Sequence, residues 1–427
     1  MNISVFDRDQ MLTTITYQGE VTMKKLYQSM LAGAFLAVAA VPAYAQQYSG
    51  PPLKLGVLSD MSGLYADLSG PGSVIAAKLA IEDFGAAAKG MKVEVIGGDH
   101  QNKADVGASI ARQWYDQDGV DVILDVPNSA VALAVNDITK EKNKIFLNSG
   151  AASSDLTGSK CTPNTIHWAY DTWMLANGTG KALVKQGGDS WFFLTADYAF
   201  GYALERDTAA VVQKEGGKVA GSVRVPLNTQ DFSSFLLQAQ ASKAKVIGLA
   251  NAGGDTTNSI KGAAEFGITK AGQKLAGLLV DINDVHALGL PVAQGLTFTD
   301  GWYWDTNDDT RKFAERFSKL NNGKYPGKIH AGVYSSVYHY LKAVYAINAK
   351  ADGATVVKKM KEMPTEDSVM GKGTVRVDGR HTHPVFLVEV KKPEESKKPW
   401  DYYKILTTIP ADEAFRPLKD GGCSLVN

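Results

Sequence analysis

Apolar residues recur along this chain with two alternating periods. Short continuous runs, such as Lys54-Leu55-Gly56-Val57-Leu58, read as buried strands. Between them lie stretches whose apolar positions fall three and four apart. In Val74 to Phe84, for example, Val74, Ala77, Ile81 and Phe84 share one helical face. After a flexible start over 46–52, the pattern predicts strands at 54–58, 92–96, 122–124 and 145–147, with helices at 74–84, 105–117 and 129–140. It then repeats, with helices at 172–186, 201–215, 232–241 and 257–266 between strands at 191–194, 219–225, 246–250, 275–280 and 296–299. Helices at 310–319 and 331–349, a hairpin-like segment at 373–379 and a strand at 385–390 complete the series. Strands separated by helices of this length need right-handed crossovers and so make parallel sheets. Two such series predict an α/β fold of two doubly wound parallel-sheet lobes facing each other.

The N-terminus is different. Lys24 and Lys25 precede an apolar run from Met30 to Val41, which ends in Ala43-Tyr44-Ala45. That is the form of a secretory signal peptide, residues 23–45, cleaved after Ala45. Met23 stands where such a signal begins, so residues 1–22 read as an upstream extension. An uncleaved anchor is the alternative, but the run is shorter than the ~20 residues a span requires. The mature part is too long for one compact core, in keeping with two lobes. Lysine plus arginine equals aspartate plus glutamate, 45 against 45, which gives no electrostatic reason to expect nucleic acid or an anionic membrane as partner. In an exported chain the isolated pair Cys161 and Cys423 reads as a disulfide.

Ligands of open parallel sheets bind outside the carboxyl ends of the strands. The loops there are Ser59-Asp60-Met61-Ser62-Gly63-Leu64-Tyr65, Asp125-Val126-Pro127-Asn128-Ser129-Ala130, and Asn148-Ser149-Gly150-Ala151-Ala152-Ser153-Ser154-Asp155. Small hydroxylated residues at helix starts leave backbone N–H groups to meet an anion such as a carboxylate. Plain helix capping explains any one loop; three on one edge point to a site. Enzyme signatures are missing: the sequence has no GxxxxGK[ST], no GxGxxG after a strand and no GxSxG. His381 and His383 are two candidate ligands beside a hairpin, which reads as surface rather than a metal site. No catalytic residue, metal or cofactor is expected. The charged run 391–398 reads as a solvated loop.

Four segments carry a resemblance: residues 54–63, Asp197-Tyr198-Ala199-Phe200-Gly201, Gln230-Asp231-Phe232-Ser233 and Val369-Met370-Gly371. Together they resemble the leucine/isoleucine/valine-binding proteins of bacterial ABC importers, in order, over nearly all of residues 53–390. The resemblance implies two lobes joined by a three-segment hinge, near Tyr170, Thr299 and Gly379, that close on a ligand without catalysis. Lobe 1 is then 52–169 with 300–380, and lobe 2 is 170–299 with 381–427. Ser129, beside Asn128, and Ser153 resemble the hydroxyl residues that hold a ligand carboxylate, and Ala151 a backbone contact beside them. Phe200 falls where the family often has a tyrosine, with Tyr198 close by. The loop from Asn251 to Asp255 replaces another tyrosine, and Asp281 lies near the acid that pairs with a ligand amino group. These departures favour an aromatic carboxylate over an aliphatic amino acid, with Tyr65, Phe200 and Trp302 around the ring; core or hinge packing is the other role open to Tyr65 and Trp302. The implied function is a periplasmic solute-binding protein that delivers a small carboxylate to a membrane permease. It is expected to act as a monomer without nucleic acid. A sensor or receptor domain of the same fold is the alternative.

Overall fold

The computed structural model describes residues 47–349 and 351–426. The predicted extension and signal peptide lie outside these residues. The expected flexible start is tied down instead: Tyr48 is buried and its N–H donates to the carbonyl of Lys89 at 2.9 Å.

The first lobe is built on β1 (Leu53–Ser59), β2 (Val93–Asp99), β3 (Val122–Asp125), β4 (Ile145–Asn148) and β5 (Thr165–His167). They lie in the order β2-β1-β3-β4-β5 and all pair in parallel. Every residue of β3 and β4 is buried, because helices cover both faces of a parallel sheet; this is why they read as unbroken apolar runs. The helices α1 (Gly70–Phe84), α2 (Ala104–Asp116) and α3 (Ser129–Glu141) make the crossovers. Helix α1 has Pro71 in its first turn and stops at Gly85, whose φ of 70° suits a left-handed cap. Strand order reverses between β1 and β3, so the loops after these strands diverge and leave a crevice.

The second lobe repeats the scheme with α4 (Thr172–Lys185), β6 (Ser190–Ala196), α5 (Ala199–Lys214), β7 (Lys218–Val225), α6 (Ser233–Ala241), β8 (Val246–Ala250), α7 (Gly254–Glu265) and β9 (Lys274–Gly277). Its parallel sheet runs β7-β6-β8-β9. Strand β9 ends before the expected Val280, because Asp281 caps a new helix, α8 (Ile282–Leu288). After α9 (Leu290–Ala293), strand β10 (Thr297–Asp300) packs beside β9. The chain then returns to the first lobe, where α10 (Asp308–Leu320) and α11 (Lys328–Ile347) pack on α1. Next come α12 (Gly353–Glu362) and the antiparallel β11 (Thr365–Asp367), β12 (Gly371–Val375) and β13 (His381–Thr382). Of the last strands, β14 (Val385–Val390) pairs antiparallel with β10 on one side and with β15 (Tyr403–Ile409) on the other.

The lobes meet at chain crossings that hydrogen-bond to one another. Arg380, fully buried, donates to the carbonyls of Trp168 and Tyr170 and faces Asp171 Oδ2 at 3.3 Å. His383 lies 2.8 Å from the carbonyl of Ala169. His381 and His383 are therefore hinge core and not surface, at 1% and 2% exposure. Burial pushes His383 down to about 4 and keeps its ring neutral. The tail adds a further passage. A short helix, α13 (Ala411–Ala414), packs on α4, Phe415 meets the His383 ring edge-on, and Arg416 donates to the Ser154 carbonyl at 2.9 Å. Cys423 is bonded to Cys161, with Cα atoms 5.6 Å apart. Residues 416–426 thus pack against the 154–161 segment; the Arg416 contact and the disulfide hold them there.

Candidate functional site

The carboxyl ends of β1, β3 and β4 shape the first-lobe wall of the crevice. After β1, the carboxylate of Asp60 accepts the N–H groups of Gly63 (2.7 Å) and Tyr65 (2.8 Å) and the side-chain amide of Asn102 (2.6 Å). That acid folds its own loop and sets the Tyr65 ring. After β3, Asp125 and Val126 have φ of 77° and 60°. Two successive left-handed residues, one of them β-branched, are strained, and strain of this kind clusters at sites. The turn delivers Pro127 to the crevice and Asn128 to the helix start. Asn128 caps α3 by accepting from Ala130 (3.0 Å) and Val131 (3.3 Å). Ser129 is therefore the first residue inside the helix and not its cap. Its Oγ accepts the Ser153 N–H at 3.3 Å, which brings the two predicted carboxylate residues together. Ala151 differs from expectation: its N–H donates to Asn148 Oδ1 and its carbonyl accepts from Asn148 Nδ2, so its backbone is already engaged.

From the second lobe come Tyr198, Phe200, Ala252 and Leu279. The hydroxyls of Tyr65 and Tyr198 meet across the crevice at 2.6 Å. Burial pushes both phenols above their ordinary range. Beside the crevice, Ser154 donates to Asp207 at 2.7 Å and Arg206 pairs with Asp155 at 3.0 Å, again from lobe to lobe. The lobes are shut on a cavity of about 10 Å³, room for roughly one water. Of the sequence-predicted residues, Tyr65, Tyr198 and Phe200 line it; Gly150 and Ala152 line it in place of Ser129, Ala151 and Ser153. Asn251 is held by Thr256 and Ser259, and its neighbour Ala252 faces the cavity. Trp302 is elsewhere: its indole donates to the Val369 carbonyl at 2.7 Å and its ring packs edge-on against Phe313, so its role is core packing. Tyr170, which the sequence places only at a crossing, donates to the Gly150 carbonyl at 2.6 Å and lines the cavity.

Asp281 has a partner from the other lobe. Lys328, at the start of α11, is fully buried and donates to Asp281 Oδ2 at 3.1 Å and to the Val280 carbonyl at 2.9 Å. Asp300 lies 3.4 Å from the same Nζ. Burial opposes the lysine charge, but Asp281 and Asp300 more than offset it and raise its affinity for the proton. Burial pushes Asp300 up to about 7. The same Nζ stands 5.6 Å from the ring centre of Tyr170, which puts this cluster just behind the cavity wall.

A family described as periplasmic binding protein matches residues 52–397. The chain belongs to the periplasmic binding protein family. Among solved structures it resembles a periplasmic binding protein from Burkholderia mallei, with 53% identity and a TM-score of 0.85, over 88% of this chain and 99% of that one. A branched chain amino acid ABC transporter periplasmic ligand-binding protein from Burkholderia xenovorans LB400 is 41% identical with a TM-score of 0.77, over 87% of this chain and 99% of that one. The Leu/Ile/Val-binding protein homolog 6 of Brucella melitensis is 26% identical over 87% of this chain and 94% of its own length. For a periplasmic binding protein the geometry is apt: two α/β lobes with facing strand ends, a hinge at one side and a small, mainly apolar cavity between.

Proposed function

We propose that this chain is exported to the periplasm, captures a small carboxylate between its lobes and hands it to the permease of an ABC importer. It acts by binding and carries out no chemical step. The observation that carries this reading is the cavity itself, which takes walls from both lobes and is bridged by Tyr65 and Tyr198. A benzoate-sized acid needs more than the room for one water, so the lobes part to admit it and close over it, a population shift driven by contacts to both. Ser129, whose hydroxyl proton is free of the capping duty that Asn128 performs, and Ser153, whose hydroxyl donates to Asp155 at 3.3 Å in the closed form, are the proposed donors to the carboxylate once the lobes part to admit it, aided by the N-terminus of α3.

Asp281 supports one ligand class over the other. Its charge is already matched by Lys328, so an ammonium at that position would compete with a fixed, buried lysine. Tyr65, Tyr170, Tyr198 and Phe200 offer rings instead. An aromatic acid is therefore the first reading. An aliphatic amino acid is the second, favoured by the name of the B. xenovorans relative. Thermal-shift screening of the mature protein against aromatic acids and amino acids tests both, because a ligand that binds only the native state raises the melting temperature. Aromatic acids should give the larger shifts; shifts from amino acids alone would reverse the order, and none from either class would overturn the reading.

A further inference from the structure

One carboxylate oxygen at the closed crevice has no hydrogen-bond partner: Oδ1 of Asp255. The residue is 1% exposed. Its other oxygen accepts the N–H of Asn228 at 3.1 Å, and its carbonyl accepts from Ser259. Asp255 sits in the first turn of α7, directly after a glycine turn in which Gly253 has φ of 59°. That turn is pressed against the opposite lobe: a Cβ added at Gly253 would lie 2.8 Å from the Leu64 carbonyl and 3.1 Å from the Tyr65 ring. Closure of the lobes therefore covers this loop. The Asp255 charge is also felt by both tyrosines that bridge the cavity, Tyr65 and Tyr198. Asp125 Oδ1 is likewise without a partner, but that acid is enclosed by its own lobe, with Ser59 donating to its other oxygen. Asp255 combines an unmet acceptor with a place in a loop pressed on the opposite lobe beside Tyr65.

A buried acceptor left unmet disfavours closure, and a donor that meets it favours closure. We propose that Asp255 Oδ1 accepts a hydrogen bond from a hydroxyl or amino group on the captured ligand, making Asp255 a specificity-determining residue for acids that carry such a donor. This rests on the reading of the cavity as a carboxylate site. Hydrogen bonds to charged groups of this kind correspond to roughly tenfold to a hundredfold in affinity.

Calorimetric titration of the parent, Asp255→Asn and Asp255→Ala proteins with two matched pairs tests the proposal: 4-hydroxybenzoate against benzoate, and leucine against 4-methylpentanoate. In one pair the parent should bind the donor-bearing acid at least tenfold tighter than its partner. Asp255→Ala should erase that gap, because the donor-bearing acid loses its acceptor while the donor-free acid no longer closes over an unmet one. Asp255→Asn, which keeps the side-chain shape, should narrow it. A gap in the first pair assigns a ring hydroxyl, and a gap in the second assigns an ammonium. A parent without a gap in either pair, or a gap unchanged in both variants, overturns the proposal. If instead the primary amide of the preferred ligand binds as well as the acid while the Asp255-dependent gap persists, the carboxylate reading fails and this inference stands.

Discussion

Replacing Lys328 with methionine keeps the length of the side chain and removes its charge. The lysine is fully buried, and its Nζ serves the Val280 carbonyl at 2.9 Å, Asp281 at 3.1 Å and Asp300 at 3.4 Å. Without it two buried acids face each other with no cation between them. Breaking a buried pair from one side costs about 3–5 kcal/mol, because the remaining charge stays desolvated. Against a total stability on the order of 5–15 kcal/mol, that is a third or more. The loss should also depend on pH in a fixed direction. Burial already pushes Asp300 up to about 7, and without the lysine it titrates higher still. In the folded state such an acid keeps a proton that the unfolded chain has released between its ordinary value and that raised one, so stability rises as pH falls through that window. Urea unfolding followed by tryptophan fluorescence at pH 8 and pH 5 reads both effects, with an unchanged denaturant slope marking a true stability change. The variant should lose about 3–5 kcal/mol at pH 8 and clearly less at pH 5. Adding Asp281→Asn and Asp300→Asn should recover most of the loss. A Lys328→Met protein as stable as the parent at pH 8 would refute the buried ion cluster, and with it the argument that Asp281 is closed to a ligand ammonium.

Asp125 is buried among its own lobe's residues, and burial pushes it up to about 7 from an ordinary 3.8. Its folded-state stability contribution is therefore lost as pH rises through that interval, by about 4 kcal/mol at most. Asp125→Asn should raise the melting temperature at pH 8 more than at pH 5, and a gain independent of pH would speak against the shift. The disulfide closes a separation of 262 residues. Loop-entropy arguments then assign it up to about 5 kcal/mol, so Cys161→Ser with Cys423→Ser should lower the urea midpoint and expose residues 416–426 to protease; an unchanged midpoint would contradict this. Ser129→Ala should weaken binding of the preferred acid about tenfold or more with little change in melting temperature, since Asn128 is the cap. Asn128→Ala should do the reverse in part, costing about 1 kcal/mol of stability. Calorimetry beside thermal melts separates the two.

The alternation of buried runs with helical stretches made both lobes readable, because parallel strands covered on both faces leave a continuous apolar signature. Strands without a long apolar run stayed hidden. β15 is exposed along most of its length, and β5 has only three residues. The candidate crevice was readable where backbone rules govern it, at the loops after β1, β3 and β4. Which residues of those loops reach the cavity was not, because period and motif do not encode side-chain direction: Ser129 and Ser153 lie together off the cavity wall while Gly150 and Ala152 form it. Lys328 and Trp302 make the same point from opposite sides. A lysine after Pro326-Gly327 carries no sign that it will be buried beside Asp281, some 47 positions away in the chain. A tryptophan near a crossing suggests a ligand platform, yet its indole N–H found the Val369 carbonyl and its ring found Phe313.

Small-angle X-ray scattering of the mature protein, free and with a saturating acid from the thermal-shift screen, reads lobe closure itself. The radius of gyration should fall on binding the acid and stay at the free value with the corresponding amide. An unchanged radius at demonstrated saturation, or an equal fall with the amide, would contradict capture of a carboxylate by closing lobes.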